Sequence, residues 1–132
     1  LHPTKYAELL GEKLKKNKVN VWLINTGWSG GSYGTGERIK LKFTRAMITA
    51  ALKGELEKVE FENHAVFGLA MPKSCPNVEA SILNPRNTWK DKAAYDTKAN
   101  SLAESFVKNF SKYASAANEE ILAAAPKTTV NA

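Results

Sequence analysis

The sequence predicts a mixed α/β domain, a sheet with flanking helices. Two patterns carry that prediction. Segments with apolar residues at helical spacing alternate with short runs rich in β-branched and aromatic residues, and a glycine-rich loop follows directly on one such run. The chain has 132 residues, 43% hydrophobic and 24% charged, which is the size and make-up of one globular domain.

Taken in order, Tyr6, Leu9, Leu10 and Leu14 repeat at helical spacing, so a helix is expected from Thr4 to about Lys16, with the lysines of "EKLKKNK" on its solvated face and end. "VNVWLIN", Val19–Asn25, reads as a strand buried on both faces. After the glycine loop, Arg38, Lys40 and Lys42 alternate with Ile39 and Leu41, the pattern of a strand with one basic face. Thr44 is a good N-cap for the helical run "RAMITAALKG", which Gly54 would close.

Val59 and Phe61 alternate with charges as in a half-exposed strand, and "AVFGLAM" reads as a more buried one. The stretch from Pro72 to Pro85 holds an irregular wrap with a short turn, and "NPRNTW" an ordered loop leading into a helix. From Asp91 to Tyr113, the residues Tyr95, Ala99, Leu102, Phe106, Phe110 and Tyr113 mark one face of a long helix. "NEEILAAA" predicts a short helix before Pro126, followed by a frayed end.

Composition excludes several classes. A single cysteine, Cys75, rules out an intrachain disulfide, and with only His2 and His64 beside it a structural zinc set is lacking. No apolar run reaches the roughly 18 residues of a membrane helix. With no secretory signal read at the start, a reducing cytoplasm is the expected compartment. The sequon Asn109-Phe110-Ser111 falls inside the predicted long helix and is discounted. The net charge of +6 suits an anionic partner: a nucleic acid, a nucleotide or an anionic surface.

The chemistry centres on "NTGWSGGSYGTGERIKLKFTR", which packs five glycines into its first twelve residues. Gly31 and Gly36 are spaced as in a phosphate-binding P-loop, but Glu37 stands where the lysine belongs and Arg38 where the hydroxyl belongs. The following residues are strand-like, whereas a P-loop opens a helix, so that motif fails on context and on charge. A dinucleotide fingerprint fails too, since Gly34 and Gly36 have no glycine three residues on. Two readings stand: a glycine-rich hairpin or crossover loop, or a ligand loop beyond the carboxyl end of a strand. In the second, Arg38 would stack on a base and Thr44 would offer hydroxyl and backbone N–H to a ligand atom.

The run "NTGWSGGSYGTGERIKLKFTRAMITAALKGEL" resembles the C-terminal region of ATP-dependent phosphoenolpyruvate carboxykinase, and the likeness continues through "AVFGLAMPKSCPNV" and "ILNPRNTWKDKAAYDTKANSLAESFVKNF". It covers most of the chain, from about Tyr6 to Tyr113. The resemblance implies that residues 1–113 form the C-terminal segment of the carboxykinase mononucleotide-binding domain, with 114–132 as a tail. It implies conversion of oxaloacetate and ATP to phosphoenolpyruvate, carbon dioxide and ADP, with Mg2+ and Mn2+ carrying charge. In that family the arginine and the next aliphatic residue after the glycine loop hold the adenine, and a nearby threonine completes the pocket. The matching positions are Arg38, Ile39 and Thr44.

The phosphate cradle and the metal ligands of that family have no counterpart in this sequence, so the 132 residues alone are expected to be inactive. A separated piece is also expected to self-associate through an exposed sheet edge or apolar face. The rival from another class is a basic nucleic-acid-binding module, with Arg38, Lys40 and Lys42 tracking a phosphate backbone. Against it, no aromatics interleave with those charges. Among other residues, His64 reads as a surface loop residue, Cys75 as a packed thiol and Trp28 as buried under the glycine loop. Arg86 reads as a salt-bridge or carbonyl clamp, and Asp91 and Asp96 as helix-start charges.

Overall fold

The structure is a computed structural model and describes residues 2–128. Helices dominate it, with two small antiparallel sheets of two strands each. This is the mixed α/β class expected, although the strands are shorter than the sequence suggests.

Helix α1 runs over Pro3–Asn17, with proline at its start and Lys18 as its C-cap in the left-handed region, φ 50. Its predicted apolar face is largely uncovered, with Tyr6 and Leu10 exposed. The glycine loop carries β1 (Trp28–Ser29), paired antiparallel with β2 (Glu37–Arg38). Helix α2 follows almost at once, over Leu41–Leu52.

That helix corrects the sequence reading, in which Arg38–Phe43 continued as a basic strand. The period-two stretch is only five residues long, and it is equally compatible with a helical phase reaching back to Phe43. Phe43 and Ala50 are both buried on the inner side of α2, and burial decides the conformation. The N-cap is consequently Lys40, and Thr44 lies inside the first turn, buried, its N–H donating to the Lys40 carbonyl at 3.3 Å. Gly54 closes α2 as expected, with φ 68 and its N–H on the Ala51 carbonyl.

A 3₁₀ turn at Glu55–Lys58 leads to β3 (Phe61–Asn63), which pairs with β4 (Ala70–Pro72). Only the end of "AVFGLAM" is strand, because its first residues form the turn that joins β3 to β4. The wrap that follows contains a tight turn at Cys75–Val78 with Asn77 at φ 60, then two single-turn helices, α3 (Ala80–Leu83) and α4 (Pro85–Thr88). Helix α5 spans Lys92–Ala114, capped by Asp91, whose carboxylate accepts from the N–H groups of Ala93 and Ala94. The sequon at Asn109 lies within it. Helix α6 (Glu119–Ala123) supplies the predicted short helix, while residues 129–132 of the expected frayed end lie outside the described residues.

The core is small. Ala50, Leu56 and Cys75 form its centre, with Trp22, Met47, Val78 and Leu83 packed around them. A second buried patch under α5 consists of Tyr95, Ala99 and Ala103, beneath which Leu102 and Phe106 remain half uncovered. Cys75 is packed as expected, and burial raises its thiol pKa, with Glu55 adding to the effect.

The segment 19–25 departs most from expectation. It forms no strand, and among the described residues no backbone group of residues 20–24 is hydrogen-bonded to another backbone group. Nor is it buried on both faces. Trp22 and Ile24 turn inward, Trp22 stacking on Phe61 at 6.1 Å, while Val19, Val21 and Leu23 face outward at 54%, 62% and 80% exposure. The propensity reading fails here because a strand needs a neighbour, and among the described residues no other segment pairs with this one through backbone hydrogen bonds.

Candidate functional site

The glycine loop and the segment 84–91 face each other across an open cavity of about 540 Å³. The loop's shape requires its glycines. A Cβ on Gly36 would collide with the carbonyls of Ser29 and Gly31, and a Cβ on Gly30, at φ +78, would sit 2.9 Å from the Thr88 carbonyl oxygen. Asn25 closes the loop's entry, accepting from the Gly27 N–H at 2.9 Å and donating to the Trp28 carbonyl at 3.1 Å. The N–H groups of Thr35 and Gly36 both donate to the Ser32 carbonyl.

The opposite wall is held by side chains. Asn84 caps α4 by accepting from the Arg86 N–H. The Lys92 ammonium donates to the carbonyls of Arg86, Asn87 and Trp89 at 2.9, 3.0 and 2.9 Å, so each of its three protons finds an acceptor at the C-terminal end of α4. Arg86 makes the expected salt bridge, bidentate to Asp96 at 2.8 and 2.9 Å. That hydrogen bond holds the Asp96 carboxyl below its ordinary range and raises Arg86 in turn. A side-chain hydrogen bond joins the two walls: the Ser29 hydroxyl donates to Thr88 Oγ1 at 3.0 Å and Thr88 in turn donates to the Pro85 carbonyl at 2.7 Å.

Of the sequence-predicted site residues, Arg38 and Ile39 both line this cavity, and Thr44 does not; it is buried one helical turn further on. Among the described residues the Arg38 guanidinium makes no hydrogen bond or ion pair, which leaves its donors and its flat face open to a ligand. The cavity's formal charges cancel: Arg38, Lys40 and Lys90 stand against Glu37, Glu79 and Asp91. Such a lining suits an aromatic base and ribose better than a triphosphate, which needs a surplus of cations or N–H donors.

The basic strand face required by the nucleic-acid reading does not form. Lys42 belongs to α2 and its ammonium sits 4.7 Å over the Phe43 ring. Trp28 is not buried under the loop; it is 41% exposed and packs edge-on against Tyr33. His64 is not a surface residue either. Its Nδ1 accepts from the Val66 and Phe67 N–H groups at 3.2 Å each, and its Nε2 lies 2.6 Å from the Tyr95 hydroxyl. Burial holds its pKa below the ordinary histidine value.

Ser29, Thr88, Lys90 and Lys92 escaped the sequence reading. For Thr88, Lys90 and Lys92 only the density of polar and charged residues in "RNTWKDK" was a hint, and Ser29 had none.

A profile of the family described as phosphoenolpyruvate carboxykinase matches residues 1–81. The chain belongs to the phosphoenolpyruvate carboxykinase family. It is 66% identical over 128 residues to the phosphoenolpyruvate carboxykinase (ATP) of Flavobacterium johnsoniae, a match covering 97% of this chain and 24% of the relative. The enzymes of the same name from Christiangramia forsetii and Caldanaerobacter subterraneus are 60% and 57% identical, each covering 96% of this chain and 24% of the relative. The chain thus spans about a quarter of the length of the curated carboxykinases it matches.

No three of the described His, Cys, Asp and Glu residues come together as a metal site, so the divalent ions of carboxykinase chemistry find no fitting donor set among them. No helix among the described residues is long and apolar enough to cross a membrane.

Proposed function

We propose that this chain is the C-terminal, adenine-side portion of a cytoplasmic phosphoenolpyruvate carboxykinase that converts oxaloacetate and ATP to phosphoenolpyruvate, carbon dioxide and ADP in gluconeogenesis. Residues 1–113 are the end of its mononucleotide-binding domain and 114–132 its tail. The observation that carries the adenine assignment is the juxtaposition of the unpaired Arg38 guanidinium and half-buried Ile39 at a cavity whose formal charges cancel. A guanidinium plane stacks on a purine, and an aliphatic side chain covers its other contacts. Thr44 supports this pair from the first turn of α2 rather than as its cap.

Phosphoryl transfer depends on positioning and on neutralising the phosphate charge. Here the chain's task is positioning. The oxaloacetate site, the phosphate cradle and the donors for Mg2+ and Mn2+ belong to the remainder of the protein, and the chain alone is inactive.

The test is a chimera in which this chain replaces the matching region of the Flavobacterium johnsoniae enzyme. It should turn over, whereas the free chain should not. Arg38→Ala should raise the KM for ATP about 10-fold, the equivalent of roughly 1.4 kcal/mol of lost base contact, with a smaller change in kcat. An unchanged KM for ATP would remove Arg38 from the site, and turnover by the free chain would overturn the division of labour.

A further inference from the structure

Two aromatic residues line the cavity of Arg38 and Ile39, namely Phe43 and Trp89. Phe43 is buried, at 5% exposure, on the inner side of α2. Trp89 is half-buried and stands in the facing wall, between the end of α4 and the Asp91 cap of α5. Two contacts fix its place. Its carbonyl accepts from the Lys92 ammonium at 2.9 Å. Its indole packs edge-on against the Tyr95 ring, with centroids 5.6 Å apart and planes at 74°. Tyr95 is itself buried, and its hydroxyl lies 2.6 Å from His64 Nε2. Because His64 Nδ1 accepts from two backbone N–H groups, Nε2 carries the proton of the neutral ring and donates it to the Tyr95 oxygen as a hydrogen bond. Among the described residues the indole N–H of Trp89, like the Arg38 guanidinium, makes no hydrogen bond.

We propose that Trp89 is the second stacking partner of the nucleotide base, so that adenine lies between the Arg38 guanidinium from the glycine-loop wall and the Trp89 indole from the wall of residues 84–91. An indole presents the largest aromatic face of any side chain, and stacking on such a face is a substantial part of base binding. A ring already seated against Tyr95 loses little rotamer freedom when the base arrives. The balanced charges of the lining agree, since stacking needs no surplus of either sign. The glycine loop contributes through Gly30, which approaches the Thr88 carbonyl as only a residue without a Cβ can, one position before Trp89. That close approach brings the wall of Arg38 up to the wall of Trp89. Tyr95 and His64 are then positioning residues, which act on the base through the indole.

This inference rests on the adenine-site reading, and the chimera described above tests it. Trp89→Leu should raise the KM for ATP about 10-fold and leave kcat and the KM for oxaloacetate within about twofold, and Trp89→Phe should recover most of the loss. An equal rise in both KM values would mark a general loss of structure and overturn the proposal. A second measurement keeps the native side chain in place. With fluorotryptophan incorporated into the chimera, the fluorine resonance that disappears in Trp89→Phe should shift on addition of ATP or ADP and stay in place on addition of inorganic tripolyphosphate. A resonance that ATP leaves unmoved, or that tripolyphosphate moves as far, would overturn the proposal. If Arg38→Ala raises the KM for ATP and Trp89→Leu does not, Trp89 alone is removed from the site. If neither does, the adenine reading falls and the stacking role falls with it.

Discussion

The segment 84–91 and the glycine loop at 27–36 face each other across one cavity, yet they are fixed by opposite means. The first is tied down by side chains, with Lys92 reaching three carbonyls, Arg86 forked onto Asp96 and Asn84 and Asp91 capping the helices on either side. The second has few side chains to use and holds its course through backbone hydrogen bonds and through close approaches that only glycine permits. The charged groups of the first wall are largely satisfied internally, whereas Arg38 at the end of the second is open to a ligand. A site of this kind combines a rigid wall with one whose position depends on its neighbours.

Four changes probe that contrast, beginning with the largest. Gly36→Ala pushes a methyl group into backbone carbonyls that have no room to move, and should cost about 3 kcal/mol in thermal unfolding and abolish nucleotide binding in the chimera. Lys92→Met leaves the end of α4 without its three-proton clasp while keeping the aliphatic stem, and should cost about 2 kcal/mol. If Lys92→Met proved silent in calorimetry, the side-chain wall would not owe its order to that clasp. Thr88→Val removes the side-chain hydrogen bond between the walls at a cost of about 1 kcal/mol, and Thr88→Ser should restore both stability and KM for ATP.

The fourth and smallest is a pH effect at the base of the side-chain wall, where His64 meets Tyr95 of α5. Burial lowers the folded-state pKa of His64 below that of the unfolded chain. The neutral ring therefore stabilises the fold fully above the unfolded value of about 6.5, and that contribution is lost as pH falls below it. Melting curves between pH 7.5 and 5, on the order of one proton's linkage, should show a Tm that declines on the acid side. The slope should flatten in His64→Asn, whose side-chain oxygen can still accept from the Val66 and Phe67 N–H groups. A wild-type curve flat over that interval would mean that His64 titrates normally.

Much of this was legible in the sequence wherever local chemistry settles the matter. The long helix and its Asp91 cap, the left-handed Gly54, the Arg86 salt bridge and the packed Cys75 all follow from spacing or from short-range partners. Arg38 and Ile39 were singled out through the glycine loop's resemblance to the carboxykinases, and both line the cavity. The readings that failed each depended on what lies next to a residue in space. His64 looked like a loop histidine until Tyr95, 31 residues away, supplied its partner. Thr44 looked like a cap until burial of Phe43 pulled the helix start back to Leu41. Lys92 carried no signal of its partners, because its acceptors are backbone carbonyls, which sequence does not distinguish.

The sequence by itself determined part of the conformational vocabulary of this protein: where the long helices run and where glycine must turn the chain. These are properties of single residues and their near neighbours. Only the tertiary structure decided which extended stretch is paired. The same apolar run that reads as a strand buried on both faces at Val19–Asn25 lies partly open here, because a strand's stability resides in hydrogen bonds and side-chain contacts with a neighbour. That neighbour is a matter of which segments the fold brings alongside, which no property of residues 19–25 alone encodes.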